Sequence, residues 1–155
     1  MNATMPDLVL YQPDIPGNTG TLMRLCACTA TTLHLIEPAG FRLDDTALKR
    51  AGMDYLEIAT LARHIDWDAF ETWRANTGRR LVLMSTRADM TLWDFAFRAD
   101  DLIMLGRESG GVPDHVHGTA DHRLTIPMAA GARSLNVALA GAMALGEAIR
   151  QTRPD

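Results

Sequence analysis

The amino-acid sequence predicts an α/β fold with a mostly parallel sheet flanked by helices, and two observations lead to this prediction. Short apolar runs of strand length alternate with segments of helical periodicity along the chain. Strands that are separated by helices pair in parallel, and the helices cover both faces of the sheet. The 155 residues are 47% hydrophobic and 22% charged, as expected for a globular protein with one sizeable core. Because no linker, repeat or low-complexity segment interrupts the chain, we expect a single domain over residues 1–155.

The individual elements follow from the spacing of apolar residues. Strands are predicted where apolar residues follow one another, at residues 8–11, 33–36, 81–84, 102–105 and 123–126. Helices are predicted at residues 18–29, 44–51, 66–76 and 134–151. The second helix is expected to begin at Asp44 or Asp45, which are good capping residues, and the third to end before Gly78.

The polar and glycine-rich segments of the sequence follow the predicted strands. In open parallel sheets, ligands bind beyond the carboxyl ends of the strands. The segment "LGRESGGVP" places an arginine, a glutamate and three glycines directly after a buried strand. Glycines permit a sharp turn or a close approach of the backbone to a ligand. We therefore predict a ligand site among the segments at residues 12–20, 85–87, 106–113 and 127–136.

Composition argues against several classes of protein. The formal net charge of −4 at pH 7 argues against a chain coated in basic residues, although it leaves a local basic face open. No segment has the length and apolarity of a membrane span, and the amino terminus lacks the basic start and apolar block of a secretory signal. We therefore expect a cytoplasmic protein with no membrane partner.

The cysteines and histidines form no metal-ligand pattern. Cys26 and Cys28 lie two residues apart in a predicted helix, so their side chains point apart, and buried free thiols are the preferred interpretation. His115, His117 and His122 have no acidic or sulfur partner at ligand spacing and are interpreted as solvated loop residues. No metal is expected.

A dinucleotide cofactor is the first alternative for an α/β ligand site. It requires Gly-x-Gly-x-x-Gly after the first strand and an acidic residue after the second. Glu37 closes the second strand, but the first turn reads "QPDIPGNTG", with two glycines at the wrong spacing and two prolines. The glycines concentrate instead late in the chain, at Gly106, Gly110, Gly111 and Gly131.

Three motifs resemble, in order, those of the SPOUT superfamily of RNA methyltransferases. They read "PGNTGTLMRLCA", "IMLGRESGGVP" and "IPMAAGARSLNVALA". The stretches "LYQPDIPGNTGTLMRLCACT", "LHLIEPAGF" and "LKRAGMDY" resemble in particular the branch that methylates the ribose 2′-hydroxyl of the tRNA wobble nucleotide. The resemblance runs nearly from end to end.

This resemblance implies a fold, a cofactor and partners. In the family, the last third of the chain threads through a loop to form a trefoil knot, and S-adenosylmethionine binds bent within it. The family is dimeric, with the cofactor sites near the subunit interface. We therefore expect a homodimer that transfers a methyl group from S-adenosylmethionine to the 2′-hydroxyl of cytidine or modified uridine at position 34 of tRNA.

The resemblance also implies roles for individual residues. Arg24 would meet the RNA and orient the ribose hydroxyl, and because a guanidinium stays protonated we prefer this to a role as general base. Asn18 would shape the active-site loop, and Glu108 would orient Arg24 or the knot loops. The cofactor would be held by Met84, Gly106, Ile126, Met128, Ser134 and Asn136.

The expected RNA contacts are fewer. Arg24 is joined by Arg42, Lys49 and Arg50, whose side chains could meet phosphates. One departure concerns the last helix, where family members often carry an aromatic residue and this chain has Gly146 before Glu147. Three alternatives remain open: methylation of another tRNA or rRNA position, a non-catalytic cofactor- or RNA-binding homologue, and a nucleotide-binding sensor without RNA.

Overall fold

A computed structural model describes residues 4–42, 46–52 and 60–154 of the chain. Within these residues, strands alternate with helices as the sequence predicts, except that no α-helix lies between residues 84 and 102. The strands are β1 Asp7–Tyr11, β2 Thr32–Ile36, β3 Thr60–His64, β4 Leu81–Met84, β5 Met90–Thr91, β6 Leu102–Leu105 and β7 His122–Thr125. The helices are α1 Pro16–Cys28, α2 Thr46–Gly52, α3 Trp67–Thr77, α4 Asp114–Thr119 and α5 Val137–Thr152, with a short 3₁₀ turn at Leu92–Asp94.

The described strands form one seven-stranded sheet in the order β3-β2-β1-β6-β4-β7-β5. Every pair of neighbours is parallel. Side chains along β1 alternate between two apolar clusters, with Leu8 and Leu10 on one face and Val9 and Tyr11 on the other. Helices α1 and α5 supply residues to the first cluster, and α3 and α4 to the second. The predicted α/β class, with helices covering both faces of a parallel sheet, is confirmed.

Three short elements, β3, β5 and α4, were not predicted from the sequence. Strand β3 lies at the edge of the sheet, and its residues are exposed or half-buried, so it lacks a continuous apolar run. Strand β5 has two residues and α4 has six, which is too short for either periodicity to be recognised. Strands β3 and β5 form because β2 and β7 pair with them, and α4 packs against the sheet through Val116.

Helices α1 and α5 begin two or three residues away from their predicted starts, and α3 begins one residue later than predicted, at Trp67. Helix α1 starts at Pro16, because proline is suited to the first position of a helix, where no backbone hydrogen is needed. Helix α5 starts at Val137 because the Asn136 side chain caps it, so Ser134 belongs to the preceding loop. The predicted caps Asp44 and Asp45 lie outside the described residues.

The two cysteines are free thiols in different surroundings. Cys26 is buried on α1, and burial raises the pKa of its thiol to about 12. Cys28 is exposed, so the interpretation of both as buried thiols is wrong for this residue. Over the described ranges, no helix has the length and apolarity needed to cross a membrane.

The topology gathers the polar loops at one edge of the sheet. Strands β1, β6, β4 and β7 are consecutive neighbours and run in the same direction. The segments that follow them therefore leave the sheet side by side. These are the segments in which a ligand site was predicted, so strand order brings distant parts of the chain to one place.

Candidate functional site

A cavity of about 310 Å³ lies at the carboxyl edge of the sheet. Its wall comes from the ends of β4, β6 and β7, the segments that follow them, and the beginning of α5. The apolar part of the wall consists of Leu83, Met84, Leu105, Val112, Leu124, Ile126, Met128, Leu135, Val137 and Ala140. Polar side chains join it from the loops after β4 and β6 and from α4. An apolar cavity with a few polar groups is typical of a small-molecule site.

Most of the residues that were predicted to hold the cofactor line this cavity. The lining includes Met84, Gly106, Ile126, Met128 and Ser134, and also the predicted catalytic-loop residue Glu108. Asn136 is not part of the lining, although it is linked to the site by hydrogen bonds. Three of the four predicted segments therefore meet at this cavity, whereas residues 12–20 are not part of its lining and are linked to it by hydrogen bonds of Asp14 and Asn18.

Gly106 is required by a close approach of two backbone segments. A β-carbon at this position would lie 2.7 Å from both the Cα and the carbonyl carbon of Gly111. Arg107 and Gly111 pair in a short antiparallel bridge, and Gly111 has φ +64°, in the left-handed region. The glycines close the loop after β6 on itself, so a side chain at position 106 would push against this loop before it reached a ligand.

Glu108 connects this loop to the start of α1. One carboxylate oxygen accepts the backbone N–H of Asp14 at 2.9 Å, and the other accepts the Asn18 amide at 3.4 Å. In return, the backbone N–H of Glu108 donates to the Asp14 carboxylate at 3.1 Å, and the Ser109 hydroxyl donates to the same carboxylate. The contacts of Glu108 thus fix the loop after β6 against the loop after β1.

The two carboxyl groups of this connection have opposite pKa shifts. Hydrogen bonds from Glu108 and Ser109 lower the pKa of Asp14 below its ordinary value. Burial, and then the neighbouring Asp14, raise the pKa of Glu108. Asp14 therefore holds the negative charge of the pair more firmly than Glu108 does.

Asn136 extends the connection to α5. Its side-chain oxygen accepts the backbone N–H groups of Ala138 and Leu139 at 2.8 and 3.3 Å, which caps the helix. Its amide nitrogen donates to the Asn18 side chain at 3.1 Å. Asn18 is the third residue of α1 rather than its cap, which is Ile15. Asn18 therefore connects Glu108 and Asn136, and we call these three residues the amide–carboxylate chain.

The predicted RNA-binding residues lie away from the cavity wall. Arg24 is exposed on α1, Arg42 is exposed before α2, and Arg50 is exposed on α2, which packs against α1. The Lys49 side chain lies outside the described part of the chain. Glu108 bonds with Asp14 and Asn18, and no described hydrogen bond links it to Arg24.

Several side chains of the lining were not selected from the sequence, and Arg107 and His117 are two of them. Arg107 donates to the Gln12 side chain, and its guanidinium lies 5.3 Å from the centre of the Tyr11 ring. His117 lies on α4, and its Nδ1 atom is buried, so its interpretation as a solvated loop residue is wrong. His122 is also no loop residue, because it begins β7 and its ring lies 5.0 Å from that of Phe95.

No metal centre was found in the part of the chain that the structure describes. Among these residues, no group of three or more histidine, cysteine, aspartate and glutamate side chains is placed to hold an ion.

Comparison with known proteins gives consistent matches along the chain. The sequence profile of the SpoU rRNA Methylase family matches residues 6–146. A tRNA (cytidine(34)-2′-O)-methyltransferase of Beijerinckia indica is 56% identical over 144 residues, which cover 93% of this chain and 90% of that protein. A solved structure that concerns the 2-OH methylation of C/U34 on tRNA superposes with a TM-score of 0.91, at 41% identity and 96% coverage of each chain.

A more distant solved structure contains a ligand. The SpoU methyltransferase AviRb from Streptomyces viridochromogenes, in complex with the cofactor AdoMet, superposes with a TM-score of 0.86 at 26% identity. The match covers 97% of this chain and 59% of AviRb.

The dual role of Asn136 makes a testable prediction about stability. Asn136→Ala removes the cap of α5 and the bond to Asn18, so we expect the free energy of unfolding to fall by about 1 kcal/mol. Asn136→Asp keeps the capping oxygen and should be destabilised less. Asn76→Ala, at an exposed asparagine in the last turn of α3, is the control and should change little. The measurement is urea unfolding, and wild-type stability of Asn136→Ala would contradict the capping role.

Proposed function

This chain belongs to the SpoU rRNA Methylase family, and from that premise we propose that it methylates the ribose 2′-hydroxyl of nucleotide 34 in tRNA. The methyl donor is S-adenosylmethionine. The proposal rests on three loops that meet around one cavity, beside the amide–carboxylate chain. The protein that contains this site is 56% identical to a tRNA (cytidine(34)-2′-O)-methyltransferase. Because tRNA is the substrate, the proposed location is the cytoplasm.

The cavity fits S-adenosylmethionine in its size and in the chemistry of its wall. Its volume of about 310 Å³ lies within the range of small-molecule sites. The apolar residues Leu124, Ile126 and Leu135 suit an adenine ring, and Met84, Gly106, Met128 and Ser134 offer backbone groups around it. When bound, the cofactor supplies a methyl group on a positively charged sulfur, which a ribose oxygen can attack without a metal.

We propose that the amide–carboxylate chain positions the loops and takes no direct part in the reaction. Both oxygens of Glu108 already accept hydrogen bonds, from Asp14 and Asn18. Asn136 is committed to Asn18 and to the α5 cap. Methyl transfer requires an in-line approach of the oxygen to the methyl carbon, and fixed loops provide this alignment. Asn18 and Glu108 are therefore positioning residues.

Arg24 is proposed to bind the RNA beside the reacting ribose. It lies six residues after Asn18 on α1, which turns it by about 120° around the helix axis. Its planar guanidinium suits a phosphate or the ribose hydroxyl, and its exposure leaves it accessible to a large substrate. Arg42, Lys49 and Arg50 are proposed to extend this contact along the RNA backbone.

A trefoil knot and a single domain are also proposed. The segment after β7 must cross the carboxyl edge past β4 to reach α5, which packs against α1, β1 and β6. This crossing lies beside the loops after β4 and β6, and in the family the last third of the chain threads through a loop. The described strands belong to one continuous sheet, which supports a single domain over residues 1–155.

A homodimer is supported by the exposed side of α5. Leu139 and Met143 are four residues apart and are 59% and 37% exposed, so they form an apolar stripe on the helix surface. Contiguous exposed apolar surface marks sites of contact between proteins. We propose that a second copy of this chain covers it.

Binding of the cofactor and transfer of the methyl group can be separated by two substitutions. Arg24→Ala should abolish methyl transfer to nucleotide 34 and leave S-adenosylmethionine affinity nearly unchanged, because Arg24 lies outside the cavity wall. Gly106→Val should weaken cofactor affinity by about tenfold or more, since its side chain displaces the loop at Gly111. Labelled-methyl transfer to tRNA and calorimetric titration measure the two effects.

Gly118→Val is the control for an added side chain, because a β-carbon there meets open space on α4. If Arg24→Ala transfers the methyl group at the wild-type rate, Arg24 has no role in the reaction. Transfer to a nucleotide other than 34, located by mass spectrometry of tRNA fragments, would overturn the proposed substrate position.

The RNA surface is tested through its salt dependence. Arg42→Ala with Arg50→Ala should weaken tRNA binding, and the slope of log affinity against log salt should fall by about one unit for each phosphate that the variant no longer binds. Arg98→Ala is the matched control, because Arg98 is exposed before β6, at the opposite edge of the sheet. An unchanged slope in the double variant would place the RNA elsewhere.

The oligomeric state is tested at the α5 stripe. Leu139→Lys with Met143→Lys should convert the dimer to a monomer of 17.0 kDa in light scattering, because two charges would be buried without partners. Trp93→Lys changes a 51% exposed residue outside the stripe and should leave the dimer intact. A wild-type chain that is monomeric at micromolar concentration would contradict the proposal.

A further inference from the structure

Two residues that line the cavity, Arg107 and His117, each carry one buried side-chain nitrogen without a hydrogen-bond partner among the described residues. These nitrogens are Arg107 Nε and His117 Nδ1. The Arg107 guanidinium is nevertheless anchored, since it donates to Gln12 and packs on Tyr11. The His117 ring makes no hydrogen bond within the described chain, and a buried polar atom without a partner is destabilising. A ligand in the cavity could supply the missing partner of His117.

The surroundings of His117 are positively charged. Burial is the main cause that lowers the pKa of His117, and the nearby Arg87 and Arg123 lower it further, against the opposing Asp114. The imidazole is therefore neutral at pH 7 and presents one N–H donor. Arg123 fixes the position of the helix, because its guanidinium donates to the backbone carbonyls of His117 and Ala120, both at 2.9 Å.

Arg87 faces the same cavity from the loop after β4. It forms an ion pair with Asp114 at 3.6 Å, but the two side chains are 60% and 96% exposed. An ion pair that is this exposed contributes little to the stability of the fold. A ligand anion could therefore compete for Arg87. A hydrogen-bond donor and a cation on one stretch of wall favour an acceptor that carries a negative charge.

We propose that His117, with Arg87 beside it, binds the carboxylate of the methionine part of S-adenosylmethionine. This inference rests on the proposed function, which supplies the cofactor. The carboxylate is the one anionic group of that molecule, whereas its ammonium and sulfonium groups would be repelled by Arg87. His117 Nδ1–H donates to a carboxylate oxygen, and Arg87 contributes its charge. His117 thus orients the amino-acid tail and with it the sulfonium.

Two nucleosides test the proposal by calorimetry with the full chain. S-adenosylhomocysteine carries the carboxylate, and 5′-methylthioadenosine lacks the whole amino-acid tail. His117→Leu should weaken the affinity for S-adenosylhomocysteine about ten- to a hundredfold, as expected for the loss of a hydrogen bond to a charged group. The affinity of the same variant for 5′-methylthioadenosine should stay within about twofold of the wild-type value. Arg87→Gln should act in the same direction.

Two matched variants separate this role from packing. His117→Asn places an amide N–H near the position of Nδ1 and should recover most of the affinity. His115→Leu removes an exposed histidine on the same helix and should change neither affinity. In the wild-type chain, the NMR chemical shift of the His117 ring nitrogen should change when S-adenosylhomocysteine is added. It should not change when 5′-methylthioadenosine is added.

The outcomes distinguish this inference from the proposed function. If the wild-type chain binds neither nucleoside, the proposed function fails and the inference fails with it. If it binds S-adenosylhomocysteine and His117→Leu does not weaken that binding, or weakens both nucleosides equally, only the carboxylate assignment is wrong. An NMR shift of His117 with both nucleosides would likewise overturn it.

Discussion

The carboxylate of Glu108 is the contact on which the site depends. Its two oxygens bind the backbone of Asp14 and the amide of Asn18, so the loop after β6 and the start of α1 cannot move independently. Asn136 then connects Asn18 to the first turn of α5. Parallel strands deliver their loops to one edge without fixing them to one another. The amide–carboxylate chain supplies that fixation, and each bond in it joins segments at least 90 residues apart.

Backbone contact provides the second constraint. Gly106 and Gly111 approach so closely that a methyl group at position 106 has no room, and this approach folds residues 107–110 into a tight loop. The loop carries Glu108 at its tip and Arg107 at its base. The glycine at 106 was expected to give a cofactor access to the backbone, whereas in the structure its first effect is to shape the loop that presents Glu108.

Much of the fold could be predicted because buried parallel strands are continuous apolar runs. The strands β1, β2, β4 and β6 were recognised in this way, and the loops after the predicted strands contain most of the residues that line the cavity. His117 could not be recognised, because a histidine in the polar stretch "DHVHGT" carries no periodic signal. The burial of its Nδ1 atom is a tertiary effect, because α4 packs against one face of the sheet through Val116. The same holds for edge strand β3, whose pairing with β2 outweighs its mixed sequence.

Helix α1 connects the two parts of the proposed reaction. Asn18 near its start belongs to the amide–carboxylate chain, and Arg24 lies six residues later, about 9 Å further along the axis. Leu22, Met23 and Cys26 bury the opposite side of the helix against the sheet, so α1 behaves as a rigid element. A phosphate held by Arg24 would therefore keep a fixed distance from the loops that Asn18 holds. Coupling of this kind needs no conformational change, because one packed helix positions the RNA contact and the cavity loops together.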